Sequence, residues 1–237
     1  MTEFSPSLSP PTEKNRLLEA ALQYAALGWR VFPCHSPAAT GGCTCKKADC
    51  KSIGKHPRTQ YGATNATANT TTIRKWWKQW PDANVAIATA GFLVVDTDGP
   101  TAELVIAGHD LPPSPTAVTD KGRHRYFIDT AGTATNKVRI ALAGVILPDQ
   151  VDIRGTGGCV VAAPSLHASG RVYAWAPGLS PFDLAAPPAP QWLYDLGSHR
   201  PAPCRPSGGT VAPTPEGEPV PEGTQGELVF TSLTREA

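Results

Sequence analysis

Residues 34–58 contain four of the chain's six cysteines and show no hydrophobic periodicity, so they cannot be ordered by a hydrophobic core of their own. Within this stretch Cys43, Cys45, Cys50 and His56 follow the spacing C-x-C-x₄-C-x₅-H. A tetrahedral Zn²⁺ ion explains both facts, because closing the site supplies the missing folding free energy. We therefore predict a structural zinc insert at about 34–58, with free surface thiols as the alternative.

The neighbouring Cys34 and His35 are further candidate ligands, whereas Cys159 and Cys204 are expected to be ordinary residues. The first residues lack the basic-then-apolar pattern of a secretory signal. Six cysteines in such a chain indicate reduced or metal-bound thiols rather than disulfides, and the cytoplasm is the expected compartment.

The chain as a whole is almost neutral, with 21 basic and 20 acidic residues. This balance excludes a protein that is basic throughout to coat nucleic acid. The segment from Lys46 to Lys78 nevertheless carries eight Lys or Arg and a single acid, Asp49. Such a local excess of positive charge has phosphate as its natural partner.

Proline and glycine divide the chain into three parts. The chain holds 25 prolines and 22 glycines, and the prolines crowd from Pro177 onward. Residues 201–237 have almost no apolar periodicity and are expected to be a Pro/Gly-rich linker or disordered tail, and residues 1–10 a flexible N-terminus. The globular part is then 11–200. No apolar run approaches the ~18–20 residues that a membrane span needs, so no membrane partner is expected.

Hydrophobic patterning indicates two helices followed mainly by strands. One helix is expected from Thr12 to Leu27 and another over 73–80, whose tryptophans are expected to pack in the core rather than stack on bases. Short β-branched runs predict strands, the first of them stopped by Pro33. The other runs are 85–89, 92–96, 125–128, 151–153, 159–162 and 172–175. The order of elements predicts an α+β fold with a mixed or antiparallel sheet.

Three carboxylates stand out among these strands. Asp96 and Asp98, in the run VVDTDG, are two residues apart on one strand and project from the same face. Adjacent carboxylates are both ionised at neutral pH when a cation lies between them, and Mg²⁺ or Mn²⁺ suits such oxygen ligands; a strand end with a turn is the alternative. Asp152 lies between two apolar residues of a third strand, where it would either join a two-metal site or pair with Arg154.

Two further motifs are compatible with phosphate binding. His124 follows Gly122 at the start of a strand and is flanked by two arginines; it would meet an anion such as a triphosphate, or simply pack on the sheet. The glycines of 155–158 could approach phosphates through backbone N–H groups, but a tight turn is the favoured interpretation. They match neither a dinucleotide-binding pattern nor a P-loop.

The order of these segments resembles the bifunctional primase/polymerase (prim-pol) N-terminal domain of phage and plasmid replication proteins, in the archaeo-eukaryotic primase superfamily. The resemblance runs from about Leu17 to Trp175. Its segments are ALQYAALGWRVFP, the cysteine insert ending in GKHPR, IRKWWKQWPDANVAIAT, VVDTD, GRHRYF and VDIRGTGGCVVAAPSLHASGRVYAW.

The resemblance implies roles for individual residues. Asp96, Asp98 and Asp152 would be catalytic metal ligands, and His124 would lie at the nucleotide's phosphates. The residues expected near nucleotide or DNA are Lys55, Arg58, Arg123, Arg154, Ser165 and His167. The implied fold is a catalytic sheet like that of RNA-recognition domains, with a flanking α/β unit. Lys121 stands where many relatives have glycine, so contacts there are expected to differ.

The expected function is a template-directed nucleotidyltransferase that synthesises primers and extends DNA with Mg²⁺ or Mn²⁺. Its expected partners are single-stranded DNA template, dNTP or NTP, and a separate helicase, since the chain has no P-loop. The first alternative is a catalytically inactive, zinc-containing module that binds single-stranded DNA. A metal-dependent nuclease using the same acids is a second alternative.

Overall fold

The structure, a computed structural model, describes residues 13–142, 145–146 and 150–196. The predicted N-terminal segment 1–10, the predicted tail 201–237 and Cys204 lie outside the described residues. Among the helices of the described segments, none is long and apolar enough to cross a membrane.

The two predicted helices are present, and two others were not predicted. The helices are α1 (Glu13–Ala26), α2 (Thr70–Gln79), α3 (Pro100–Ala107) and α4 (Gln191–Asp195), with a short 3₁₀ helix at Gly62–Asn65. Asn69 caps α2, since its side chain accepts a hydrogen bond from the Thr72 N–H at 2.9 Å. Gly28 follows α1 with φ of +80°, the left-handed conformation that commonly ends a helix.

Within the described segments, the strands form three antiparallel sheets. In chain order the strands are β1 (Val31–Cys34), β2 (Asn84–Ala88), β3 (Phe92–Asp98), β4 (Thr116–Val118), β5 (Gly122–Ile128), β6 (Ala141–Leu142), β7 (Val145–Ile146), β8 (Gln150–Arg154), β9 (Cys159–Val161) and β10 (Ala174–Trp175). One sheet has the order β1-β2-β9, a second β10-β4-β5-β3-β8, and β6 pairs with β7. The predicted α+β class is therefore confirmed, with antiparallel rather than mixed pairing among the described strands.

The prediction that Pro33 stops the first strand was wrong. Pro33 lies inside β1 and is paired with Val85 of β2. Its carbonyl accepts the Arg58 N–H at 2.9 Å, on the side away from β2. The missing N–H of proline faces the same way, so the β1–β2 ladder loses no hydrogen bond at this edge strand.

Both faces of the five-stranded sheet are covered by apolar residues. On one face, Val94 and Tyr126 pack with α1, α2 and the three-stranded sheet, and the buried Trp77 donates its indole N–H to the Ala83 carbonyl at 3.1 Å. The tryptophans of α2 thus lie in or against the core, as predicted. On the other face, Val95 and Ile153 pack with α3 and α4. This packing leaves the polar ends of β3, β5 and β8 to form a site.

Candidate active site

Register in the five-stranded sheet brings together the acids and the histidine singled out in the sequence. Asp96 of β3 is paired directly with His124 of β5 on one side and with Asp152 of β8 on the other. Residues opposite each other on antiparallel strands project from the same face, as do residues two apart on one strand. Asp98 therefore shares this face with the other three side chains. We call these four residues the acid row.

Short contacts connect the acid row. His124 Nε2 lies 3.3 Å from Asp96 Oδ1. One nitrogen of the Arg154 guanidinium lies 2.7 Å from Asp152 Oδ2 and 3.4 Å from Asp96 Oδ2. The backbone N–H of Arg139 donates to Asp152 Oδ1 at 2.7 Å. Arg154 thus contacts both carboxylates, and its single charge compensates theirs in part.

The pKa values of Asp96 and Asp152 move in opposite directions. Burial alone would raise the pKa of Asp96, but the charges and hydrogen bonds of His124 and Arg154 lower it below its ordinary value. The pKa of Asp152 is raised, first by burial and further by the negative charges of Asp96 and Asp98, against the opposing effects of a backbone N–H and Arg154. A divalent cation would relieve this repulsion, and the oxygen donors suit Mg²⁺ or Mn²⁺.

His124 carries a buried nitrogen that has no hydrogen-bond partner within the described segments. The side chain is 8 % exposed, its Nε2 is directed to Asp96, and its Nδ1 is unpaired. Leaving a buried polar atom unpaired costs about 1–3 kcal/mol. The ring also lies near Tyr173, at 5.9 Å between ring centroids. The unpaired nitrogen is itself buried, so the ring meets the cavity through its other atoms.

The acid row lines a cavity of about 480 Å³. This volume falls within the range of roughly 300–1,000 Å³ that small-molecule sites occupy. Besides the acid row and Arg154, the lining includes Ser52, Lys55, Thr119, Asp120, Lys121, Gln150, Cys159, Val160, Val161, His167 and Tyr173. Acidic and basic side chains therefore share one cavity.

Three basic residues of the lining, Lys55, Lys121 and His167, form what we call the basic wall. His167 Nδ1 lies 2.9 Å from the Ser169 hydroxyl, which in turn donates to Asp120 Oδ1 at 2.7 Å. Burial lowers the pKa of His167, and the positive charges of Lys55 and Lys121 lower it further, against the effect of Asp120. All three side chains line the same cavity, an arrangement suited to a polyanion.

Three residues that the resemblance placed near the nucleotide are outside the cavity lining. Arg58 contacts Asp82 at 3.4 Å, and its side chain is only 9 % exposed. Ser165 is fully buried, and its hydroxyl accepts the backbone N–H of Val85 at 2.8 Å. Arg123 projects from the face of β5 opposite His124 and pairs with Glu103 at 2.5 Å. Of the six residues proposed for nucleotide or DNA binding, the cavity contains Lys55, Arg154 and His167.

The four predicted zinc ligands form a cluster. One donor atom from each of Cys43, Cys45, Cys50 and His56 lies within 4.8 Å of the other three. His56 Nε2 is 3.3 Å from Cys43 Sγ and 3.5 Å from Cys50 Sγ. A tetrahedral zinc ion with bonds of about 2.0–2.3 Å requires donor separations of this order, so three thiols and one imidazole fit the metal.

The environment favours the metal-binding thiolate at Cys43 in particular; at Cys50 a hydrogen bond from the Ser52 backbone lowers the pKa, but burial and the neighbouring thiols of Cys45 and Cys43 raise it overall. Burial alone would raise the pKa of Cys43, but hydrogen bonds from the backbone of Cys45 and Gly54 and from the side chains of His56 and Cys45 lower it to about 6. The other candidate ligands are outside the cluster. His35 stacks on His56 with ring centroids 4.5 Å apart, and the Cys34 thiol donates to the Lys55 carbonyl at 3.8 Å.

Three residues that line the cavity had no predicted site role: Lys121, Asp120 and Tyr173. Lys121 directly precedes Gly122, the glycine before His124. This position beside the histidine motif is the sequence signal that could have indicated a site role for Lys121. Asn84 was also missed, although its buried side chain connects two loops beside the cavity. An asparagine at the start of a strand gives no such signal.

Carboxylates on a central strand, with basic groups in the same cavity, define a class of site that handles phosphate esters with divalent cations. Residues 21–192 match the family of bifunctional DNA primase/polymerase N-terminal (Prim-Pol) domains, and the chain belongs to this family. Among curated proteins, none matches the chain. The predicted family is thus confirmed. Membership indicates nucleotidyl transfer of the DNA primase/polymerase type, with DNA and nucleotides as substrates.

Proposed function

We propose that this chain is a template-directed nucleotidyltransferase that synthesises primers and extends DNA in replication of the phage or plasmid type. The observation that carries the proposal is the acid row, in which strand register places Asp152 and His124 on either side of Asp96. Three acids on one face beside a basic wall have little use in a protein that only binds DNA, because unneutralised carboxylates repel phosphate.

In this proposal Asp96, Asp98 and Asp152 hold two Mg²⁺ or Mn²⁺ ions. When bound, the ions would activate the primer 3′-oxygen and stabilise the pyrophosphate leaving group. The chain's own contribution is position and charge. His124 lies beside the acid row, where the triphosphate would bind, and Lys55, Lys121 and His167 would bind the phosphates farther along the cavity. Arg154 stays beside the carboxylates, where it limits their repulsion.

The test is incorporation of dNTP on a primed template. Asp96→Asn and Asp98→Asn each remove a negative charge without changing size, and each is expected to reduce incorporation by at least ~10²-fold. Asp183→Asn is the matched control, since Asp183 is exposed and outside the cavity lining. Circular dichroism should show the same fold in all three variants. Retained incorporation in Asp96→Asn would remove the acid row from the mechanism.

The basic insert supports the alternative of a single-stranded-DNA-binding module. Lys46 and Lys47 are exposed on the insert, where they could contact a DNA backbone. Incorporation with Mn²⁺ but not with Ca²⁺ supports the polymerase. A chain that binds single-stranded DNA and incorporates nothing with any divalent ion would be the binding module. Strand loss without added dNTP would indicate a nuclease instead.

We also propose that the cysteine cluster binds one structural zinc ion. Its ligands would be Cys43, Cys45, Cys50 and His56, whose donor atoms converge. Elemental analysis of freshly reduced protein is expected to find about one zinc per chain. Protein that contains no zinc and regains none on addition of the ion would contradict the proposal.

A further inference from the structure

The wall of the catalytic cavity includes residues that lie between two ligands of the cysteine cluster. Ser52 and Lys55 line the cavity, and both fall between Cys50 and His56 in the chain. Lys55 is the immediate neighbour of His56. The segment that closes the metal cluster therefore also forms part of the nucleotide cavity.

Lys55 is the member of this segment that can bind phosphate. Arg154, another cation of the lining, already contacts Asp96 and Asp152. Lys55 by contrast is exposed, and it forms no ion pair with the described part of the chain. Its ammonium is thus free to contact a triphosphate, provided that its backbone is held in place.

One side of the segment is fixed by a buried asparagine of β2. The Asn84 amide donates to the Gly54 carbonyl at 2.9 Å and to the Leu166 carbonyl at 2.8 Å, and its oxygen accepts the Leu166 N–H at 2.9 Å. Asn84 is 1 % exposed. It therefore holds the Lys55 segment against the loop that carries His167, and both segments contribute to the basic wall.

The approach at Gly54 is too close for any side chain. A Cβ at Gly54 would lie 2.9 Å from Pro37 Cδ, and the residue has φ of +75°. The other side of the segment, from Cys50 to Ser52, lacks such a fixed contact; its described backbone bonds are Cys50 N–H to the Lys47 carbonyl at 3.3 Å and Lys55 N–H to the Ser52 carbonyl at 3.0 Å. Both bonds are local turns. Beyond Lys55, the His56 carbonyl accepts the His35 N–H at 2.8 Å, so it is on the Cys50 side that ligation can fix the segment.

We infer that the metal centre and Asn84 together position Lys55 in the catalytic cavity, so that metal occupancy controls affinity for nucleoside triphosphate. The inference rests on the proposed function. It makes the zinc ligands positioning residues for the nucleotide rather than a support for the sheet. The sheet has its own apolar core, so the acid row stays formed when the metal leaves.

Binding of dATP and dAMP to the full chain tests this inference, measured by calorimetry with Ca²⁺ in place of Mg²⁺ to prevent turnover. Lys55→Ala is expected to weaken dATP binding about tenfold, which is the lower range for losing a hydrogen bond to a charged group. Its affinity for dAMP should stay within about twofold of the wild-type value. Lys55→Arg should retain most of the affinity. Lys51→Ala is the matched control, because Lys51 lies in the same segment, is exposed and is outside the cavity lining.

Metal loss should have the same effect as losing Lys55. Cys45→Ser, or treatment of the wild-type chain with a zinc-selective chelator, is expected to weaken dATP binding about tenfold. In the Lys55→Ala background the same treatment should add less than about twofold, since interacting sites are not additive. Asn84→Ala should likewise weaken dATP binding more than dAMP binding. Circular dichroism should show the sheet intact after metal removal.

Several results would overturn the inference. Equal dATP affinity in the wild-type and Lys55→Ala chains would do so, as would additive losses from metal removal and Lys55→Ala. If metal removal unfolds the sheet, the metal supports the whole domain and the inference is wrong. A wild-type chain that binds no triphosphate overturns the proposed function together with this inference. A wild-type chain that binds dATP but shows one of the results above overturns the inference alone, so the two failures are distinguishable.

Discussion

The acid row and the cysteine cluster lie beside the same cavity but are held in place by different physical means. Asp96 is on a central strand with partners on both sides, and residues such as Val95 and Ile153 bury both strands in a core. The cysteine cluster is on loops, and its four donor atoms converge without a comparable apolar core. The acid row therefore depends on hydrophobic burial, and the cluster depends on ligation.

This difference predicts which perturbation each site resists. Loss of sheet packing should disturb both sites, because the insert is attached to β1 and β2. Loss of metal should disturb only the insert and the residues that it carries into the cavity, such as Lys55. The cysteine cluster is thus expected to depend on the packing of the sheet, whereas the acid row is not expected to depend on the metal.

The largest expected effect on stability is that of Ile153→Ala. Ile153 is 2 % exposed and lies next to Asp152 in β8. Truncating a buried isoleucine costs about 2–5 kcal/mol, because the surrounding residues fill the space only partly. Urea unfolding followed by circular dichroism should show this loss, and metal release should shift to lower urea with it.

The control for that substitution is Val138→Ala, since Val138 is 63 % exposed. Its effect should stay within about 0.5 kcal/mol. If Ile153→Ala lowered sheet stability while metal release kept its wild-type midpoint, the insert would fold independently of the sheet. The cysteine cluster would then not depend on the packing of the sheet.

Hydrophobic patterning predicted those parts of the fold that are set locally. The periodic apolar residues of α1 and the β-branched runs of β3 and β8 were found within a few residues of their ends. The helix α3 was missed because its sequence, PTAELVIA, is apolar on most sides and shows no amphipathic period. The sequence did carry one signal for the start of α3: Pro100 directly follows Gly99, and proline is favoured at the first helical position.

Strand register is what a single sequence could not provide for the candidate site. The spacing of Asp96 and Asp98 shows that they share a face, but nothing local shows that Asp152 pairs with Asp96. The residues alone left that proximity open beside an ion pair with Arg154, and the resemblance to a family is what made it expected. Asn84 was missed for the same reason, since its partners Gly54 and Leu166 are far away in the chain. The cysteine cluster was easier, because its ligands lie within one short segment.

A second prediction concerns the sheet face opposite the acid row. Glu103 of α3 accepts hydrogen bonds from Arg125 at 2.7 and 3.1 Å and also contacts Arg123 and the Thr97 hydroxyl. Burial would raise the pKa of Glu103, but these donors lower it. The ionised carboxylate therefore stabilises the fold above its unfolded pKa of about 4.3, and this contribution is lost as pH falls through the folded pKa.

Glu103→Gln should accordingly destabilise the chain by about 1 kcal/mol at pH 7, because the group is partly screened by solvent. The difference from wild type should shrink as pH falls below about 4 and the wild-type carboxyl becomes protonated. Thermal unfolding of both chains between pH 7 and pH 3 measures this. A constant difference over that range would show that the loss comes from packing rather than from charge.

The smallest expected effect is at Tyr126, which tests whether the sheet beneath the acid row depends on polar contacts at all. Tyr126 is completely buried two residues after His124, and its hydroxyl has no hydrogen-bond partner among the residues that the structure describes. Burial raises the pKa of this hydroxyl well above its ordinary value, so it is neutral at pH 7. Tyr126→Phe removes an unpaired polar atom and keeps the ring, so it should leave stability unchanged or raise it by up to ~1 kcal/mol. Chemical denaturation measures this change.

A clear loss of stability would mean that the hydroxyl has a partner, such as bound water, and that the region under the acid row is polar rather than purely hydrophobic.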